Sequence, residues 1–349
     1  MGASHYSLFS GDNRDKQVVF QFRIFKLQII LLLPTHINME YRQGQQWISW
    51  LILFSLMLTW GSSFILMKRA LLSFSGTEVG LLRVVLTFLF LLPFSFRYIK
   101  KIDRKYFWPL FISGIIGSVI PALLFAIAET RIESGLAGTL NSLTPLFTLL
   151  LGVAFFGFKT RWINVLGVFI GLVGAAGLMM SSSGNHLGGE FWYSFLVVIA
   201  SVCYAINVNL VKRYFSGLNS MQITVMTFFY IGIPTLIWVL FFTRIPTLLW
   251  THPDVWEGMG YLAILSVVGT GLALIAFNKL IKMSSPVFAS SVTYIIPIVA
   301  IMWGVLDGER FTMVYFFWMI LILGGVFLVN AKPRLKIKPG QQNYFVKNK

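Results

Sequence analysis

Trp60, Arg83, Asn141, Thr144, Tyr204, Asn207, Thr270, Thr293 and Tyr294 interrupt otherwise apolar stretches of this chain. Their chemistry is recognition rather than bond-making. Indole, phenol, amide and hydroxyl groups exchange hydrogen bonds, and the planar fork of Arg83 fits a carboxylate. Asn141 and Thr144 stand three residues apart, on one helix face, just before Pro145. A proline frees a backbone carbonyl, which is then available to a solute. Each residue also has a plainer reading. Asn and Thr hydrogen-bond neighbouring helices inside membranes. Arg83 pairs with Glu78 or extends its head to the outer surface, and for Arg83 this structural reading is preferred. No HExxH, GxSxG or His/Asp cluster is present, and Gly269-x-Gly271 has no preceding strand to make it a dinucleotide motif. Neither an enzyme nor a bound metal or cofactor is expected.

The elements that position these residues follow from composition. Of 349 residues, 57% are hydrophobic and only 11% charged, against about 25% charged in soluble domains. So little charge cannot wet the surface of a soluble protein this long, and disorder goes with low hydrophobicity instead. A lone cysteine, Cys203, excludes an internal disulfide framework. Apolar runs long enough to cross a bilayer fall at 47–67, 77–96, 106–127, 134–156, 162–180, 191–211, 221–242, 258–277, 286–306 and 311–330. The expected architecture is an all-α polytopic membrane protein with ten transmembrane helices.

The net charge of +16 is sorted by loop. With both termini placed in the cytoplasm, 22 of the 28 Lys and Arg residues fall in the tails and the segments near 97–105, 157–161, 212–219 and 278–285. Glu78, Glu129, Glu133, Glu190, Asp254, Glu257, Asp307 and Glu309 fall on the other side. Basic residues are retained inside, so both termini are expected to be cytoplasmic. Charges placed so close to spans serve topology and anionic headgroups, which leaves nucleic acid without a role. The expected partners are a small-molecule substrate and the lipid bilayer; self-association into a homo-oligomer stays open.

Residues 1–46 read as an extension. The run at 18–33 contains Arg23 and Lys26 and is short for a span. Translation is expected to begin at Met39, with a peripheral membrane anchor as the alternative. Residues 331–349 form a basic tail.

A repeat is visible inside the remainder. Trp60-Gly61 and Lys68-Arg69 answer Tyr204-Ala205 and Lys212-Arg213. At a constant offset of 152, Gly117 pairs with Gly269, Phe125 with Phe277, Ala137 with Ala289, Pro145 with Pro297 and Gly152 with Gly304. Halves of five spans, 47–180 and 191–330, must insert in opposite senses, because five is odd. The flanking charges invert accordingly: acidic 129–133 answers Lys279 and Lys282, while Lys159 and Arg161 answer Asp307 and Glu309. Inverted repeats of this kind place a substrate site near the midplane. Gly167-x-x-x-Gly171, with Gly174 and Gly177, marks a close-packing face on the fifth span, and Gly324-Gly325 suggests the same on the last.

Trp60-Gly61-Ser62-Ser63-Phe64, Leu82-Arg83, the spans of Pro145 and Pro297, and Gly308-Glu309-Arg310 with Gly324-Gly325-Val326 resemble the EamA-type transporters of the drug/metabolite transporter superfamily. The likeness covers about 47–330. It implies two five-helix repeats around a central cavity, and export or exchange of small metabolites such as amino acids. Family repeats usually carry a Glu before the fifth helix. Glu309 fills that place in the second half, whereas the first half has Gly157-Phe158.

The expected function is thus a carrier of small polar or amphipathic metabolites across the cytoplasmic membrane, as exporter or exchanger. The alternatives are a flippase for lipid-linked substrates or a channel, with a membrane enzyme last. Acidic residues all sit at span ends, in loops or in tails, and His5, His36, His186 and His252 lie outside the spans. Proton-driven carriers relay through buried carboxylates or histidines. Transport down the solute's own gradient is therefore expected over proton antiport.

Overall fold

A computed structural model describes residues 35–182, 189–251 and 255–329. The expectations for 1–34, for His186, His252 and Asp254, and for Asn330 and the basic tail fall outside these residues. The chain divides into units 1–51 and 52–349. Of the first, the described part is the start of helix Thr35–Gly61; everything below concerns the second unit unless a span is named.

Among the described residues every regular element is a helix. Nine helical segments are long and apolar enough to cross a membrane: Trp47–Ala70, Gly76–Tyr98, Arg104–Ala128, Ser134–Phe156, Trp162–Ser182, Gly189–Tyr214, Ser220–Phe242, Val255–Met283 and Pro286–Leu306. The tenth expected span is a shorter apolar helix, Met313–Val329, of 17 residues. Large apolar side chains face outward all along them, including Phe155, Phe169, Phe241 and Phe327. In water that surface would aggregate; in hydrocarbon it is the solvent-facing side.

The spans are not uniform rods. The first is interrupted at Ser62 between Thr35–Gly61 and Ser63–Ala70. A π turn, Ile115–Val119, divides the third span, and another, Val267–Leu272, divides the eighth. The fourth breaks between Ser134–Asn141 and Thr144–Phe156, and the ninth passes through a 3₁₀ turn, Ser291–Tyr294. Glycine permits several of these close approaches. A Cβ on Gly61 would lie 2.5 Å from Val299 Cβ, and one on Gly117 would lie 2.2 Å from Asn207 Nδ2.

The small-residue face of the fifth span packs on Met313–Val329. A Cβ on Gly325 would stand 2.5 Å from Gly167 O and from Gly171 N, so the two backbones touch. Asn164 Nδ2 donates to Leu328 O at 3.1 Å and Val329 O at 2.7 Å, satisfying the end of the last helix.

The segment at 278–285 differs from the expected loop. The eighth span continues to Met283, so Lys279 and Lys282 lie on its last turns. Their apolar neighbours Leu280 and Ile281 are fully buried, which keeps the helix wound. Lys282 Nζ donates to the carbonyl of Leu218, and Lys212 Nζ donates to Ile281 O at 2.9 Å and Ser284 O at 2.6 Å. These ammonium groups finish chain ends whose carbonyls have no helical partner.

Candidate functional site

The irregular points of the spans converge on one partly open cavity, whose empty space, open solvent included, is about 940 Å³. Trp60 is one residue before the end of its helix, Asn141 and Thr144 flank the break in the fourth span, Thr270 sits in the second π turn, and Thr293 belongs to the 3₁₀ turn. Arg83 projects from Gly76–Tyr98, and Tyr204 and Asn207 from Gly189–Tyr214. These eight expected residues all line the cavity. Helix breaks deliver five of them, because a disturbed hydrogen-bond ladder lets polar side chains and carbonyls leave the helix axis, while Arg83, Tyr204 and Asn207 come from unbroken helices.

Tyr294 is placed elsewhere. Its hydroxyl donates to Val326 O at 2.7 Å, against the last helix, and it is not among the cavity-lining residues. The 3₁₀ turn is the reason: side chains there step about 120° per residue, so Thr293 and Tyr294 diverge.

Trp60 Nε1 donates to Gly269 O at 2.8 Å, the carbonyl exposed within the π turn. Thr144 Oγ1 donates to Asn141 O at 2.8 Å and stands 3.5 Å from Asn141 Oδ1. Pro145 cannot donate to Asn141 O, and Thr144 takes over that task. The freed carbonyl is thus closed internally rather than offered to a solute, which corrects the sequence reading. Thr293 Oγ1 donates to Ser290 O at 3.0 Å, within its own turn. Asn207 Oδ1 accepts from Ser113 Oγ.

Arg83 requires a second correction. Its Nε donates to Thr270 Oγ1 at 2.8 Å, and it forms no ion pair among the described residues. Glu78 is engaged by Ser75 N at 2.8 Å, Ser75 Oγ at 2.7 Å and Arg244 Nε at 3.0 Å. Five positions along a helix rotate a side chain by about 140°, so Glu78 and Arg83 leave different faces. Glu78 completes a capping box at the start of its helix, whereas Arg83 turns into the cavity, the one charged residue lining it among the described residues.

Aromatic residues form much of the remaining wall. Tyr204 stacks on Phe125 with ring centroids 5.9 Å apart, Phe125 meets Phe64 edge-on at 5.9 Å, and Trp60 meets Phe277 at 4.9 Å. Phe64, Phe125, Phe277 and Ser118 were not among the expected site residues. A signal for two of them was in the repeat, since Phe125 pairs with Phe277 at the same offset as Gly117 and Gly269, and all four line the cavity. A smaller polar cavity of about 290 Å³ shares Ser118 and Asn207 with the main one and reaches Thr224 and Asn278, which are joined by a 2.9 Å hydrogen bond.

Beside the cavity, Lys68 Nζ bridges Asp307 and Glu309, each at 2.8 Å, and Arg69 also pairs with Asp307. Glu309 Oε1 accepts from Ser134 N–H at 3.0 Å and Oε2 from Gly135 N–H at 3.3 Å. The expected absence of buried carboxylates does not hold: Glu78, Glu129 and Glu309 are all buried. A span end in the sequence is not a surface in the fold, because neighbouring helix ends close over it.

The EamA-like transporter family profile matches residues 46–180 and 191–331. An inner membrane transporter of Escherichia coli strain K12, YedA, whose own role is uncharacterised, is 28% identical over 300 residues, 80% of this chain and 92% of that protein. An uncharacterised transporter of Archaeoglobus fulgidus is 24% identical across 81% of this chain and 99% of its own. The aromatic amino acid exporter YddG of E. coli K12 is 24% identical over 139 residues, 38% of this chain and 47% of the exporter. A crystal structure at 16% identity shares the fold with a TM-score of 0.59, covering 81% of this chain and 96% of that one.

Proposed function

The chain belongs to the EamA-like transporter family, a multi-pass membrane transporter, and from that premise we propose that its cavity carries small amphipathic solutes bearing a carboxylate, amino acids foremost. The observation behind this reading is Arg83. A guanidinium in a largely apolar cavity without a carboxylate partner is costly, and a solute carboxylate supplies the missing charge through the bidentate geometry that Arg favours. Phe125, Tyr204, Trp60 and Phe277 offer flat apolar surface for the rest of the solute. The name of YddG concerns aromatic amino acids, the solute class such walls suit.

The carrier reading includes ten spans in two inverted halves, with both termini cytoplasmic and movement by export or exchange. The π turns begin at Ile115 and Val267, again 152 apart, and this supports the duplication. A flippase would need free cations for headgroups. Lys68 and Arg69 are consumed by Asp307 and Glu309, which disfavours it.

The test is counterflow in proteoliposomes holding purified protein, with L-phenylalanine as the probe. Arg83→Gln is expected to slow exchange at least about tenfold, the equivalent of roughly 1.4 kcal/mol, with Arg83→Lys intermediate. An Arg83→Gln protein that exchanges at the parental rate would remove the carboxylate reading.

A further inference from the structure

Two of the three buried carboxylates are fully occupied: Glu78 by Ser75 and Arg244, and Glu309 by Lys68, Ser134 N–H and Gly135 N–H. Glu129 is different. It is 7% exposed, and neither carboxylate oxygen has a hydrogen-bond partner among the described residues. A buried carboxylate anion with no donor is strongly disfavoured, whereas the protonated acid tolerates the site far better. Glu129 also caps the C-terminus of helix Ile120–Ala128, where unpaired carbonyls concentrate negative potential. The backbone thus adds a further force against ionisation.

The position is as informative as the chemistry. Glu129 N–H donates to Phe125 O at 2.9 Å, one turn back. Phe125 and Ala122 on the same helix line the cavity, and residues four apart share a helix face. Helices Gly76–Tyr98 and Gly189–Tyr214 pack against Ile120–Ala128; among their ionisable groups are Glu78 and Arg83 on the first and Glu190, Tyr193, Cys203 and Tyr204 on the second. Arg131 and Glu133 follow it in its own loop, and Lys68 and Glu309 belong to the adjoining ion cluster. Burial, then the negative charge of Glu309, push the Glu129 carboxyl well above the usual carboxylate range, opposed by Arg83 and Lys68.

Resting on the carrier reading above, we propose that Glu129 is a proton-binding site that couples solute movement to the proton gradient, its proton travelling with a solute carboxylate bound at Arg83. The link is electrostatic. The positive charge of Arg83 opposes protonation of Glu129, and a solute carboxylate on the guanidinium offsets that charge. Carboxylate binding therefore favours proton binding, and by reciprocity a proton on Glu129 favours the carboxylate. The chemistry is one acid–base step. A Glu129 oxygen takes a proton from water on the loading side. It returns that proton to water on the other side, once alternating access wets the site and the solute has left. This replaces the expectation of transport indifferent to protons, and because proton and solute travel together, an inward proton gradient drives uptake, which replaces export as the net direction.

Two measurements test it. The first is infrared difference spectroscopy of the purified protein at neutral pH, parental minus Glu129→Gln, which reads protonated carboxyl groups without a solute. A carboxylic acid band lost in the variant is expected; no difference band overturns the assignment of Glu129. The second is proteoliposomes with labelled L-phenylalanine. The parental protein is expected to accumulate it at least about tenfold under an imposed pH gradient, and its counterflow is expected to vary with pH. Glu129→Gln should abolish the accumulation and flatten the pH profile, while Glu129→Asp, still titratable, should shift that profile. Parental counterflow without gradient-driven accumulation, or accumulation that persists in Glu129→Gln, overturns the coupling and leaves the carrier reading standing. No parental counterflow sinks the carrier reading itself, independently of the infrared result.

Discussion

Lys68 holds two carboxylates at 2.8 Å, and each of those carboxylates holds something else. Glu309 anchors the start of helix Ser134–Asn141 through two backbone N–H groups, and Asp307 also takes Arg69. Removing the ammonium leaves Glu309 buried and short of positive charge. Lys68→Met is expected to lower unfolding free energy by roughly 1–3 kcal/mol, read as a fall in the thermal midpoint in detergent. Adding Glu309→Gln to Lys68→Met should recover part of that loss, because it deletes the uncompensated charge; a further fall would contradict the account. The hydrogen bond from Lys68 is the largest influence holding Asp307 below the usual carboxylate range. A depressed folded-state value means that this stabilisation is present above the ordinary Asp pKa, about 3.9. It is lost as pH falls through the lower folded value. At this scale the sequence was legible where a polar group stood alone in an apolar run, as Arg83 and Asn141 do. It was not legible at Glu129, whose burial depends on helices distant in sequence.

The expected spans of 106–127 and 258–277 carried no mark of the π turns inside them. Each turn adds a residue to the ladder, and hydropathy is blind to that. The pattern of small residues was more telling, since Gly117, Gly269 and Gly271 are where the turns lie. The tightest contact, between the fifth span and Met313–Val329, gives a matched pair of variants. A Cβ on Gly325 would collide with the backbone of Gly167 and Gly171, while one on Gly324 would meet nothing within 4 Å. Gly325→Ala should therefore force the helices apart at a cost of about 1–3 kcal/mol. Gly324→Ala should be neutral or slightly stabilising through helix propensity. Thermal midpoints of the two proteins settle the matter: equal values would mean that this contact does not hold the helices together. The Glu that the second half places before its last helix is replaced in the first half by a turn of Gly157, at φ 70°, and Phe158. Phe158 N–H donates to Gly152 O at 3.0 Å, much as Glu309 N–H donates to Gly304 O at 2.8 Å. The turn survives without its carboxylate, and among the described residues the ion cluster has no counterpart in the first half.

Across the described residues, hydropathy made the apolar helices and their order legible because a bilayer is a stringent solvent: backbone groups must pair within each span, and outward side chains must be apolar. The proposed orientation rests on a weaker force, the retention of basic residues on the cytoplasmic side, and the proposed inversion of the two halves rests on that orientation. The described loops allow a direct check. Lys159 follows the fourth span and Ser216 the sixth, both on the expected inner side; Arg131 follows the third span and Arg244 the seventh, on the expected outer side. In a Cys203→Ser background, Lys159→Cys and Ser216→Cys should resist a membrane-impermeant maleimide in intact cells and react in inverted vesicles. Arg131→Cys and Arg244→Cys should do the reverse, with Arg244→Cys expected to cost some stability through Glu78. Corresponding ends of the two halves would then lie on opposite faces, since the loop after the fourth span answers the segment at 307–310 that follows the ninth. Labelling of Lys159→Cys and Arg131→Cys from the same face would break that relation. A single span between them would then fail to cross, and a midplane cavity shared by two mirrored halves would have no basis.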